Sequence, residues 1–127
     1  DTRIIVIDGK ASGLYRYVRK GDFRASGSGN FAYDRALFDE HCVRIAFDLT
    51  QKLQSQCAAY DFVFDQNNNP LIVEVSYGFI KEVYDPCPGY WDSNLQWHEG
   101  AFNPQGWMVD VVRSQAKNRQ SEKRGAA

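Results

Sequence analysis

Two short apolar segments flank Asn67-Asn68-Asn69-Pro70, and this pairing limits the fold more than any other feature of the chain. Asparagine and proline in succession favour a turn, because asparagine tolerates left-handed backbone and proline fixes its own φ. Ala58 to Phe64 and Leu71 to Tyr77 are therefore expected to be strands, linked by Asp65 to Pro70 into an antiparallel hairpin. Alternate residues of a strand share a face. One face of the first strand carries Tyr60, Phe62 and Phe64, and one face of the second carries Leu71, Val73, Val75 and Tyr77. All seven are apolar or aromatic, so they are expected to line the buried side. The opposite faces then carry Asp61 and Asp65, and Glu74 and Ser76.

Cross-strand partners point the same way. If Phe64 faces Leu71, Asp61 falls opposite Glu74, with β-carbons about 5 Å apart and Ser76 as diagonal neighbour. Two adjacent carboxylates repel each other unless basic side chains or a cation intervene. Mg²⁺ takes hard oxygen ligands together with phosphate oxygens, so the pair reads either as a metal site or as surface carboxylates with Lys or Arg partners.

Upstream, Arg3-Ile4-Ile5-Val6-Ile7 is β-branched and apolar, and Asp8-Gly9 is a tight-turn dipeptide. A return strand is expected from about Ala11 to Arg19, with Leu14, Arg16 and Val18 on one face. Gly21 to Asn30 is a glycine- and serine-rich loop. Asp34 offers an N-cap oxygen, and Phe38, Cys42, Ile45, Leu49 and Leu53 recur at helical spacing, predicting a helix from about Arg35 to Gln54. After Tyr77 the periodicity dissolves into a long aromatic loop punctuated by Pro and Gly, and a last helix is expected to start near Gly106.

Formal net charge is -1, which argues against a dedicated nucleic-acid binder. From Arg113 onward, five basic residues accompany one acidic residue, leaving the remainder at about -5. That end is expected to be a solvated polar tail, with a basic patch for an acidic partner as the alternative. Cys42, Cys57 and Cys87 form no C-x-x-C pair, which fits neither a disulfide framework nor a zinc site and favours a reducing, cytoplasmic setting. No apolar run approaches the roughly 20 residues of a membrane span. The chain opens on Asp1 rather than Met, with an apolar strand beginning two residues later, and is read as part of a longer protein.

Taken in order, Asp1-Thr2-Arg3, Gly21-Asp22-Phe23-Arg24-Ala25-Ser26, Gly27-Ser28-Gly29, Asp61 and Glu74-Val75-Ser76 resemble the RimK-type group of the ATP-grasp superfamily, over about residues 1 to 79. The resemblance implies an α+β fold, an antiparallel β-sheet with packed helices, forming the C-terminal subdomain of the ATP-grasp fold. It implies a partial domain over residues 1–112, with an aromatic-rich insert at 77–107 and a basic polar tail at 113–127. It also implies an ATP- and Mg²⁺-dependent (or Mn²⁺-dependent) ligase that activates a carboxylate as an acyl phosphate for attack by an amine or similar nucleophile.

By the same resemblance Asp61, Glu74 and Ser76 hold the metal, although Ser76 stands where the family has Asn. Arg24 and Arg16 are the catalytic cations that offset charge moving in phosphoryl transfer. Arg24, Ala25, Ser26 and Asp1 lie on the nucleotide side, and Arg3 braces its strand. The expected partners are ATP, a small carboxylate and amine, and the N-terminal ATP-grasp subdomain. Neither nucleic acid nor membrane is expected, and homo-oligomerisation stays open. The fragment alone is expected to bind ATP weakly and to be inactive. Similar ATP-grasp proteins occur in polysaccharide clusters, and they extend the likeness into the aromatic stretch, which reads either as a substrate wall or as packing. His98 with Glu99 is a candidate acid–base pair, the alternative being a structural histidine. The alternative for the whole chain is a non-catalytic nucleotide-binding or protein-interaction module that keeps the fold. A phosphodiester-cleaving metal enzyme would need further ligands near the carboxylates.

Overall fold

The computed structural model describes residues 1–17, 31–78, 81–101 and 103–125. Strands β1 (Thr2–Ile7) and β2 (Lys10–Arg16) form a hairpin. Its turn residues Asp8 and Gly9 both have positive φ, 50° and 69°, the backbone that a two-residue turn needs to match strand twist. A short strand β3 (Phe31–Ala32) follows, then a 3₁₀ turn (Arg35–Leu37), helix α1 (Glu40–Lys52), and the hairpin of β4 (Cys57–Phe64) and β5 (Pro70–Ser76). Helix α2 (Lys81–Tyr84), strands β6 (Gly89–Asp92) and β7 (Trp97–Glu99), and helix α3 (Pro104–Gly125) complete the described chain. The strands form one sheet in the order β5-β4-β1-β2-β6-β7, with β3 also paired to β2. The architecture is α+β, and every strand pairing among the described residues is antiparallel.

Alternation on the central strands divides the core in two. On one face Ile4, Val6, Ala11, Ala58, Tyr60 and Phe62 pack with Phe38, Cys42, Val43 and Ala46. On the other, Ile5, Ile7, Leu14 and Ala59 pack with Tyr84, Cys87 and Trp107. This two-sided burial explains why Ile4 to Ile7 of β1 are all apolar instead of alternating with polar residues.

The helix expected from Arg35 begins later. Asp34 caps only the 3₁₀ turn, accepting from the Ala36 amide, and Asp39 caps α1, accepting from the His41 amide. Between them Phe38 is extended (φ -107°, ψ 135°). That break drives its ring into the core beside Gly13 and edge-on to Trp91. The buried stripe of α1 is Cys42, Val43, Ala46 and Thr50, whereas Leu53 is 48% exposed. Thr50 is satisfied by the Ala46 carbonyl and the Tyr60 hydroxyl, each at 2.7 Å.

The apolar face expected to be buried on the second strand is exposed: Leu71 49%, Val73 62%, Val75 41% and Tyr77 66%. Phe64 is 38% exposed as well. There are two physical reasons. Strand β5 is the edge of the sheet, beyond the reach of α1. A register shift between Asp61 and Phe62 also pairs Phe64 with Pro70 and Val63 with Leu71, which leaves Val73 as the extra residue. Such a bulge turns Leu71 away from the face that holds Val75.

The stretch after Tyr77, expected to be irregular, adds β6 and β7 to the β2 side of the sheet, where Trp91 and Trp107 are buried. Helix α3 starts at Pro104 and runs to Gly125, so it includes most of the segment expected to be a polar tail. No helix among the described residues is long and apolar enough to cross a membrane.

Candidate functional site

The site lies on the sheet face opposite α1. Strand β1 sits between β2 and β4, and its register sets Arg3 opposite both Leu14 and Asp61. Direct cross-strand partners share a face, so this pairing sets Arg3 beside Asp61. Asp61, 3% exposed, is gripped at both oxygens. Arg3 Nε donates to Oδ1 at 2.6 Å and Arg3 Nη2 to Oδ2 at 2.9 Å. Arg16 Nη2 stands 3.1 Å from Oδ2. Arg16 also clamps Asp1, with Nε and Nη2 each 2.7 Å from a carboxylate oxygen. Two guanidinium and two carboxylate groups thus form one compensated cluster. Bidentate arginine–carboxylate bonds hold both position and orientation.

Burial works to raise the Asp61 carboxyl, but the Arg3 hydrogen bonds and charge, with Arg16 behind them, outweigh it and hold the group below its ordinary range. The Arg3 guanidinium is held protonated by its Asp61 bond against the cost of burial. Tyr84, 1% exposed on α2, lies close enough to Arg3 for the two groups to act on each other electrostatically. Burial pushes the Tyr84 hydroxyl up to about 12.

Strand β5 completes the site. Asp61 is paired with Glu74, and Ala59 with Ser76, so Asp61, Glu74 and Ser76 share this face. The Ser76 hydroxyl donates to Glu74 Oε1 at 3.4 Å, and Glu74 is exposed. The expected pairing of Asp61 with Glu74 is present, although Phe64 pairs with Pro70 instead of Leu71.

Hard oxygens from Asp61, Glu74 and Ser76 are the donor type that Mg²⁺ takes. Among the described residues, however, no three His, Cys, Asp or Glu side chains cluster as a metal cage. Asp61 already accepts two hydrogen bonds from Arg3 and is ion-paired to Arg16. The set fits a Mg²⁺ ion that keeps its substrate phosphates, since those supply the ligands and negative charge this face lacks. It does not fit an ion held by protein alone.

Of the remaining candidates, Arg16 and Asp1 join Asp61 in one cluster, and the Asp1 carboxylate is taken up by Arg16. Arg24, Ala25, Ser26 and the rest of the glycine-rich loop lie outside the described residues. Arg3 proves to be the main Asp61 partner, a role that could be found only once β1 was known to pair with β4. Tyr84 carried no sequence signal. His98 is partnered not by Glu99 but by Asp92, whose Oδ2 lies 2.8 Å from Nε2, and its ring stacks on Tyr90. Glu99 instead accepts from the Trp97 indole at 2.9 Å. The pairing follows from alternation, because His98 and Glu99 point to opposite faces of β7.

An antiparallel sheet with packed helices and two acid-bearing strands side by side is consistent with an ATP-grasp subdomain. Residues 1–81 match the RimK-like ATP-grasp domain, and the chain belongs to that family. No curated protein and no solved structure matches it. The family is one of ATP-dependent ligases that generally use ATP with Mg²⁺.

Proposed function

We propose that the chain is the C-terminal part of an ATP- and Mg²⁺-dependent ligase that activates a small carboxylate as an acyl phosphate for attack by an amine or similar nucleophile. The observation that carries this reading is the pairing of Asp61 with Glu74 across β4 and β5, on the same face as Arg3 and Arg16. Glu74 and Ser76, with the remaining lone pair of Asp61, would hold the metal. When bound, the ion neutralises phosphate charge and fixes the phosphates in line for transfer.

The protein's own part is electrostatic and positional. Arg3 holds Asp61 rigid and ionised. Arg16 contributes a cation at the rim, where negative charge moves between phosphate and acyl oxygen. Arg24, Ala25 and Ser26 are proposed to meet the nucleotide phosphates, as the resemblance implies. ATP-grasp enzymes sandwich ATP between two subdomains, so these 127 residues alone are proposed to bind it weakly and to be inactive. The aromatic stretch is proposed as packing first, since Trp91 and Trp107 are buried.

The test is ATP-to-ADP turnover by the full-length parent with panels of acids and amines, alongside Glu74→Gln. Acid- and amine-dependent ADP release, lost in the variant, supports the ligase; ADP release with neither substrate, or unchanged in Glu74→Gln, refutes it. A second reading, a non-catalytic nucleotide-binding module, is favoured by the arginine-saturated Asp61 and by serine at position 76. It predicts ATP binding by the parent with no turnover under any substrate pair.

A further inference from the structure

Helix α3 has 22 residues, about 33 Å at 1.5 Å per residue. Only its start is anchored: Trp107 is buried, and Gly106, Met108 and Val111 are half-buried. Residues 112–123 are exposed on every side. A helix gains most of its stability from packing, and one that is polar all round needs compensating side-chain pairs. Here the spacing gives little net help. Arg113 and Lys117, then Arg119 and Lys123, are like-charged neighbours four residues apart, which offsets the opposite-charge spacings Asp110–Arg113 and Arg119–Glu122 three apart. The helix dipole rewards cations only in the last turn, and Lys117 has no acidic residue three or four positions away. None of these four basic residues forms an ion pair among the described residues.

The complementary charge is in the same chain but out of reach. Asp34, Asp39 and Glu40 are exposed where the chain enters α1, and none forms an ion pair among the described residues. Asp34 and Asp39 each use one oxygen as a helix cap. Neighbouring Arg35 lies over the Trp97 ring. Because α1 covers one sheet face and the start of α3 covers the other, the two charge sets do not meet within one copy.

We propose that the exposed half of α3 docks on the Asp34–Glu40 segment of a second copy, reciprocally, as a two-fold dimer with self-complementary contacts. The exposed Val109 and Val112 would supply the apolar centre, and the charges the orientation.

Sedimentation equilibrium of the 127-residue chain tests this at about 50 mM and about 500 mM salt, where the screening length falls from about 14 Å to about 4 Å. The expected result is a dimer whose Kd weakens at least about tenfold at the higher salt. Lys117→Glu/Arg119→Glu and, separately, Glu40→Lys should each be monomeric at low salt, with circular dichroism confirming retained helix and fold. Mixing those two variants should restore a dimer, because the reversed helix then faces a reversed segment. A wild-type monomer at low salt overturns the proposal, as does a dimer indifferent to salt and to both reversals. The latter outcome would move the interface to the exposed β5 edge.

Discussion

Replacing Arg3 by Met tests the core of the site, because it removes the guanidinium while keeping most of the side-chain length. Arg3 and Asp61 side chains are 20% and 5% exposed, and they share two bonds of 2.6 and 2.9 Å. The variant strands Asp61 in a buried position with only the 3.1 Å contact to Arg16, itself shared with Asp1. Removing one partner of a buried pair costs about 3–5 kcal/mol, a large part of the roughly 5–15 kcal/mol that holds a domain together. Urea titration followed by circular dichroism reads this directly. The companion Arg3→Met/Asp61→Leu removes both charges and should recover about half the loss or more, since a buried pair replaced by apolar groups is often neutral.

The pH dependence gives a second handle on the same variant. In the native chain Asp61 titrates below its ordinary value, so its contribution is present above that value and is lost as pH falls through the folded one. Without Arg3, burial opposes ionisation with less to offset it. The stability gap between the two chains should therefore narrow as pH drops below about 4. An Arg3→Met cost under about 1 kcal/mol, the range of a surface pair, would refute the reasoning. So would a double variant less stable than the single one.

Three further outcomes are expected. Glu74→Gln should leave unfolding unchanged within about 0.5 kcal/mol, because Glu74 is exposed, while abolishing any nucleotide turnover of the parent; a large stability loss would make the residue structural. Gly89→Ala should cost about 1–3 kcal/mol by thermal melting, since its Cβ would lie 2.2 Å from the His98 carbonyl oxygen and 2.7 Å from the Trp97 ring. On the alkaline side, burial pushes the Cys87 thiol up to about 12 from an ordinary 9.0. Stability should be flat below pH 9 and fall toward pH 12, by an amount on the order of 4 kcal/mol from this group; thiol titration should find Cys87 unreactive in the folded chain at pH 8.

Strands were legible where local chemistry is decisive. Asp8-Gly9 dictates its turn through positive φ, and alternation along β4 and β5 is enough to place Asp61 beside Glu74. Helix α1 was legible in its body but not at its start, since both Asp34 and Asp39 can cap and only the seating of Phe38 against Gly13 chooses between them. The β6 and β7 strands were hidden because three- and four-residue strands are too short to show periodicity.

What the residues determine alone is therefore everything carried by neighbours in the chain: the hairpins, the helix body, and the two acids on adjacent strands. Only the tertiary structure decided what those acids meet. Arg3 reaches Asp61 across 58 positions because β1 inserts between β2 and β4, and β5 keeps its apolar side in solvent because it falls at the sheet edge. Strand order is a contest among distant apolar faces for the same core, and no local pattern encodes its outcome.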